Sequence, residues 1–216
     1  MSVFTPPDSR AITQRLMASD QVGRVPAKTL ELFFCRKFLD DRECNDLITL
    51  IDQGRRPSTQ ADEGDDPYYR TSETTDLDAK HPVVAALDKK IAALTGLDLI
   101  LGEPVQGQRY DLGQEFKEHT DYFEPSGRDY NKYCSVAGQR TWTVMVYLNE
   151  PKAGGATRFK RIKKIVRPER GKLLAWNNMD LTGQPNPATL HHGMKVRAGV
   201  KYIITKWFRE KPWGWA

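Results

Sequence analysis

The sequence predicts an α+β chain in which a helical N-terminal part packs against a C-terminal jelly roll. Three observations carry this. Two segments between residues 40 and 96 repeat apolar residues at helical spacing between capping and stop signals. From residue 103 onward, short β-prone runs follow one another with turn signals between them, and no strong helical period appears. At 216 residues the chain is long enough for one well-buried domain with a short extension. The expected division is a lead-in over 1–28 and one domain over 29–216, with helices at about 40–96 and the jelly roll at about 103–210.

Residues 1–24 are polar and mixed, a loose or partly helical lead-in. Thr29 to Phe34, TLELFF, alternates and then runs apolar, which suits a strand. Asp40 or Asp41 can cap a helix in which Leu47, Ile48, Leu50 and Ile51 recur at helical spacing, and Gly54 stops it. Residues 55–68 carry Arg, Pro, Gly and a run of acids and read as an exposed loop; Arg70 to Leu77 reads as extended. His81-Pro82 opens a second helix closed by Gly96, with Val83, Leu87, Ile91 and Leu94 as its apolar face. The strands expected beyond it are 104–111, 115–121, 140–149, 156–159, 164–168, 172–177, 189–196 and 201–209.

The composition narrows the function. Hydrophobic content is 39% and charged content 28%, ordinary for a soluble protein. The formal charge of +5 is spread out, with one short cluster at Lys160, Arg161, Lys163, Lys164 and Arg167 that reads as a solvated turn face. Nucleic-acid binding gains little support, and an anionic small molecule or acidic peptide fits as easily. Three cysteines without zinc-site spacing read as free thiols in a reducing compartment. The start MSVFTPPDSR lacks the apolar core of a signal peptide, and no apolar run approaches a membrane span. A soluble, cytoplasmic protein with no membrane partner is expected.

The chemistry centres on RYDLGQEFKEHTD, Arg109 to Asp121. A histidine and a carboxylate two apart on an extended chain point to the same side. His119 and Asp121 therefore supply two thirds of a 2-His-1-carboxylate triad, the arrangement that leaves open positions on non-haem iron(II). The chain has four histidines. His81 is explained as a helix cap. Of the neighbours His191 and His192, which face opposite ways on a strand, one can join the metal, and His191 is taken. Lys201 falls on the next expected strand, so the two strands are expected side by side as a hairpin. Its ammonium suits a carboxylate rather than the metal. Together these residues suit a 2-oxo acid that chelates iron through its keto acid end and pairs its distal carboxylate with Lys201, with a position left for dioxygen.

On these residues the sequence resembles the prolyl 4-hydroxylases, within the iron(II)/2-oxoglutarate dioxygenases. The matching segments are FLDDREC, RTSETTDL, RYDLGQEFKEHTDYF, GQRTWTVMVYLNEPKAGGATRF, PERGKLLAWNN and LHHGMKVRAGVKYIITKW, in the family's order and spacing. The resemblance implies a double-stranded β-helix and a dioxygenase that hydroxylates a prolyl residue in a peptide or protein, converting 2-oxoglutarate to succinate, with ascorbate as activator. It implies His119, Asp121 and His191 as iron ligands, and Lys201 and Tyr110 as partners of 2-oxoglutarate. It implies Arg140 in peptide binding and Trp207 lining the active site, and it places Thr157 in the family's GG-x-T-x-F pattern.

The sequence also departs from that pattern. Met194-Lys195-Val196 stands where the family usually has Cys-Pro-Val, Arg209 where many members carry histidine, and the loop from Tyr122 to Gly138 is particular to this chain. These differences touch the substrate side. Alternative functions are the same chemistry on a free amino acid, another side chain or a small metabolite, a zinc hydrolase on the same ligands, and a non-catalytic binding jelly roll. Simpler roles stand beside the implied ones: Tyr110 as a core tyrosine, Arg140 paired with a nearby acid, Trp207 as packing, Thr157 as structural, and His192 as solvent-facing or hydrogen-bonded.

Overall fold

The first helix grows from a cap inside the polar lead-in. Asp8 accepts a hydrogen bond from the Arg10 amide and opens α1, Ser9–Met17. The computed structural model describes residues 8–59, 68–128 and 130–213. Strands β1, Val22–Arg24, and β2, Leu32–Cys35, follow. Helix α2, Asp41–Gln53, starts with a reciprocal box: Asp40 accepts from the Glu43 amide and Glu43 from the Asp40 amide, both at 2.8 Å. Short strands β3, Arg56–Pro57, and β4, Glu73–Asp76, come next. Residues 60–67 of the expected 55–68 loop lie outside the described residues. Helix α3, Pro82–Thr95, has His81 as its cap, proline at its start and Gly96 closing it at φ +76°, where a side chain would be strained.

The face of α3 differs from expectation. Val84, Leu87 and Ile91 are buried, with Asp88 and Thr95 beside them, while Val83 and Leu94 are only partly buried at the margin. The reason is polar. Asp88 turns inward to meet the buried Lys206 ammonium at 2.9 Å, a pair that stays inside because each ion neutralises the other.

The remaining strands are β5, Gln106–Tyr110; β6, Phe116–His119; β7, Arg140–Tyr147; β8, Ala153–Gly154; β9, Thr157–Phe159; β10, Lys164–Val166; β11, Leu173–Asn177; β12, His191–Gly193; β13, Val196–Ala198; and β14, Lys201–Arg209. A short helix, α4, Tyr130–Cys134, lies in the 122–138 loop. Sequence reasoning expects no helix there, because five residues are too few to establish a period.

The strands form two antiparallel sheets of a jelly roll. The larger runs β1-β2-β11-β7-β14-β5-β4-β3 and the smaller β10-β9-β12-β6, while β13 pairs with β8 at one end. The helices cover the outer face of the large sheet. Ile12 and Leu16 of α1, Leu47 and Ile51 of α2, and Leu87 and Ile91 of α3 share one core with Trp142, Val144, Val146, Ile204 and Phe208. Between the sheets lies a second core that includes Tyr110, Met145, Tyr147, Phe159, Trp176 and Ile203. Alternation explains β7: Trp142, Val144 and Val146 face the helices, and Met145 and Tyr147 face the small sheet. With both faces covered, the strand reads as a nearly continuous apolar run.

Two strand expectations need correction. The 189–196 run is not one strand: β12 breaks at Gly193, and β13 pairs elsewhere. The strands bearing His191 and Lys201 are therefore not a hairpin. β12 lies between β6 and β9 in the small sheet, and β14 lies between β5 and β7 in the large one. The chain changes sheets between them through β13 and a glycine turn, Gly199 at φ +79°. No helix of the described residues is long and apolar enough to cross a membrane.

Because α1 buries Ile12 and Leu16 in the same core as α2 and α3, Leu16→Ala should lower the unfolding free energy by about 2–5 kcal/mol. Urea denaturation measures this. An unchanged midpoint would mean that α1 does not unfold with the rest.

Candidate metal centre and cleft

The register of the small sheet sets the centre. His191 on β12 lies directly opposite His119 on β6. Their ring centroids are 4.1 Å apart. Asp121 lies two residues beyond the end of β6, so strand alternation accounts for His119 but not for the carboxylate. A hydroxyl from the other sheet holds it instead: Thr143 on β7 donates to Asp121 Oδ2 at 2.7 Å, and Asn178 donates to the Thr143 oxygen at 2.9 Å. One nitrogen from each histidine lies 4.0 Å from an Asp121 oxygen, and the three ligand atoms all fall within 4.8 Å of one another.

The donor set fits a divalent cation. His119 Nδ1 lies 2.7 Å from the Lys117 carbonyl and His191 Nδ1 2.9 Å from the Thr189 carbonyl. A carbonyl only accepts, so each Nδ1 carries the proton and each Nε2 presents a lone pair to the common point. Burial, reinforced by the second imidazole, holds His119 well below the usual histidine range, so it is neutral and ready to coordinate. Phe116 stacks on His119 at 3.5 Å, while Phe159 and Trp176 lie against His191, which keeps both rings in place. His192 points away, its Nε2 paired with Glu115 at 2.9 Å. His191, and not His192, therefore lies beside His119 and Asp121.

A small pocket opens from the centre between the sheets. Lys201 and Tyr110 are direct cross-strand neighbours on β14 and β5, and both line it. Lys201 is 1% exposed, and its ammonium stands over the rings of Tyr110 at 4.8 Å and Tyr147 at 5.6 Å. Burial pushes its pKa down to about 7. No carboxylate of the described residues pairs with it. Tyr110 donates its hydroxyl to Gln108 at 2.7 Å. Thr157 also lines the pocket and accepts from the Tyr147 hydroxyl at 2.6 Å, a structural contact.

A family model for the 2OG-Fe(II) oxygenase superfamily matches residues 105–209. The chain is 31% identical to prolyl 4-hydroxylase 1 of Arabidopsis thaliana over 194 residues, 81% of this chain and 67% of that protein. The chain belongs to the prolyl 4-hydroxylase family. It is likewise 31% identical to prolyl 4-hydroxylase subunit alpha-1 of Homo sapiens, over 67% of this chain but only 27% of that subunit, so it spans about a quarter of that relative's length. Among solved structures it resembles a viral collagen prolyl hydroxylase from Paramecium bursaria chlorella virus 1, crystallised as its 2OG complex. There the TM-score is 0.64 at 28% identity, covering 85% of this chain and 97% of that one. Membership and the His119–Asp121–His191 centre together make this an iron(II)- and 2-oxoglutarate-dependent oxygenase.

On the other side of the metal centre this family member opens a much wider cleft, about 800 Å³, whose lining includes Arg70, Glu103, Phe123, Tyr133, Arg140 and Trp207. Trp207 shares the inward face of β14 with Lys201, Ile203 and Thr205, and it borders both spaces. Arg140 does pair with an acid: its Nε and a terminal nitrogen reach the two oxygens of Glu103 at 2.6 and 2.8 Å. It also stacks over Trp207 at 3.9 Å and faces the cleft.

Sequence reasoning misses Thr143, Asn178, Glu103 and Arg70. Thr143 has a signal, a hydroxyl on a buried strand between the apolar Trp142 and Val144, which demands a partner. Arg70 lies 4.8 Å over the Phe116 ring that packs on His119 and bonds Gln106 at 2.8 Å. Nothing in its local sequence marks it as a cleft residue.

His119→Ala and Asp121→Ala should each abolish measurable Mn(II) or Fe(II) binding by calorimetry, with the circular dichroism spectrum kept. His192→Ala should leave metal affinity within about threefold, because its imidazole is held by Glu115. Comparable losses for His191→Ala and His192→Ala would overturn the ligand assignment.

Proposed function

We propose that this oxygenase hydroxylates a prolyl residue in a peptide or protein segment, converting 2-oxoglutarate to succinate and carbon dioxide. One observation carries the substrate reading: a narrow buried pocket and a much wider cleft share His119, Asp121, Phe116 and Trp207 as lining. The narrow pocket matches a small dicarboxylate. The wide cleft, about 800 Å³, lies toward the upper end of the roughly 300–1,000 Å³ of ligand sites and has room for an extended chain. The prolyl 4-hydroxylases to which the chain is similar support proline as the residue attacked.

His119, Asp121 and His191 would hold the iron, and bound ferrous iron supplies dioxygen activation coupled to oxidation of the 2-oxo acid. The protein's own residues orient and shield. Lys201 takes the distal carboxylate of 2-oxoglutarate, and that anion restores the positive charge that burial disfavours. Tyr110 packs beside the same carboxylate from the neighbouring strand and can turn its hydroxyl toward it. Trp207 and Phe116 exclude water where the two spaces meet. Thr143 keeps Asp121 aimed, since its hydroxyl donates to the carboxylate. Arg140 offers a cation to the substrate chain at the floor of the cleft, held rigid by Glu103. Ascorbate acts as the reductant that keeps the metal ferrous over repeated turnovers.

A free amino acid would leave most of the cleft empty, which favours the peptide reading over a small metabolite. A zinc hydrolase would leave the buried Lys201 ammonium without a carboxylate, which disfavours it. We also place the protein in the reducing cytoplasm, because Cys35, Cys44 and Cys134 are free, the first two buried.

Mass spectrometry on proline-containing peptides, with Fe(II), 2-oxoglutarate and ascorbate, should show gain of one oxygen on proline. Oxidation confined to free amino acids would overturn the peptide reading. Lys201→Ala should raise the 2-oxoglutarate concentration needed by at least about tenfold with metal affinity unchanged. In the free enzyme Lys201 loses its proton above about pH 7, and the carboxylate needs it protonated. The 2-oxoglutarate affinity should therefore fall as pH rises past about 7, with proton uptake on binding. Calorimetry in buffers of different ionisation enthalpy measures that uptake; a flat profile would remove Lys201 from the binding step.

A further inference from the structure

The cleft contains a buried cation that the proposed chemistry does not use. Arg209 ends β14 and is 1% exposed. A guanidinium in such a place is costly unless partners surround it. Its partners come from three separate parts of the chain. One terminal nitrogen donates to Glu103 Oε1 at 3.1 Å, the other to the Tyr133 carbonyl of α4. The plane lies 5.0 Å from the Phe123 ring and 5.2 Å from the Trp213 ring.

The same contacts bind the substrate side together. Glu103 Oε1 also receives Arg140 Nε, so one carboxylate clamps two arginines. Arg140 sits between Trp207 at 3.9 Å and Phe123 at 4.8 Å. Phe123 stacks in turn on Tyr133, centroids 5.0 Å apart and planes within 12°. Cations and rings therefore alternate along one wall of the cleft, from Trp207 through Arg140, Phe123 and Arg209 to Trp213. The base of the 122–138 loop is tied to the sheet by Gln139, which bonds the Phe123 backbone at 2.7 and 2.6 Å. Farther out, at α4, Arg209 carries the tie to Tyr133.

We infer that Arg209 is the positioning residue of the substrate cleft: through Glu103 it fixes Arg140, and through the Tyr133 carbonyl it fixes the α4 wall. The planar fork makes this a job for arginine. It reaches two acceptors in set directions at once, whereas lysine is a single point donor and a shorter side chain reaches only one. Arg209 touches neither metal nor 2-oxoglutarate in this role. The wall it holds is preformed, so a bound chain does not have to order it. The assignment rests on the peptide-substrate reading above.

Arg209→Met and Arg209→Lys test it, with poly(L-proline) as the peptide probe. Arg209→Met should raise the peptide KM about tenfold or more, the worth of one charge-assisted hydrogen bond, with kcat, the 2-oxoglutarate KM and peptide-free 2-oxoglutarate consumption little changed. Arg209→Lys should recover part of the loss. Amide exchange over residues 130–138 should speed up in the Met variant and less in the Lys variant. An unaltered peptide KM, or equal losses in the peptide and 2-oxoglutarate parameters, would overturn the assignment. If the Met variant does not fold, exchange in the Lys variant decides, and wild-type rates there refute the tether. If wild type oxidises no proline probe, the substrate reading fails, while the exchange measurement still decides whether Arg209 holds the wall.

Discussion

The pairing of β12 with β6 is the constraint on which the active centre depends. It sets His191 across from His119. Side chains alternate along a strand, so a slip of one residue would turn an imidazole out of the sandwich and bring His192 in. The rings of Phe116, Phe159 and Trp176 pack against the correct pair and would be left unmatched by the slipped one. Core packing and metal geometry thus select the same register.

The large sheet supplies what the small sheet lacks. Asp121 has left the regular strand and is aimed by Thr143 from the facing sheet. Lys201 and Tyr110 enter the pocket from that sheet as neighbours on adjacent strands. The centre is therefore a contact between two layers, and it exists only when the sandwich is closed. The helices on the outer face contribute indirectly. They bury Trp142, Val144 and Val146 on one side of β7, which leaves Met145 and Tyr147 to face inward and Thr143 to reach the carboxylate.

Electrostatics divides the two spaces that meet at the metal. The inner pocket holds a lone ammonium depressed by burial, a site prepared for an anion. The outer cleft holds arginines that are neutralised in part by Glu103 and stacked between aromatic rings. The first therefore suits a small dianion, and the second a longer, less charged chain. Trp207 on β14 borders both, so one strand separates the two spaces.

Several features follow from local sequence alone. The caps at Asp40 and His81, the stop at Gly96 and the full extent of β14 depend on short-range patterns that survive without the fold. Other features depend on partners distant in sequence. Asp88 turns α3 because Lys206 waits in the core, and Arg140 and Arg209 meet at Glu103 from different strands. His191 and Lys201 look like hairpin neighbours in sequence but occupy opposite layers, because the chain changes sheets between them. Spacing along a chain records which residues can share a face; closure of two twisted sheets decides which faces meet. The sequence by itself nominated His119, Asp121, His191 and Lys201 by residue type and spacing, and the tertiary structure decided that they converge across layers, with a buried arginine network beside them, because only closure of the sandwich brings the two sheets together.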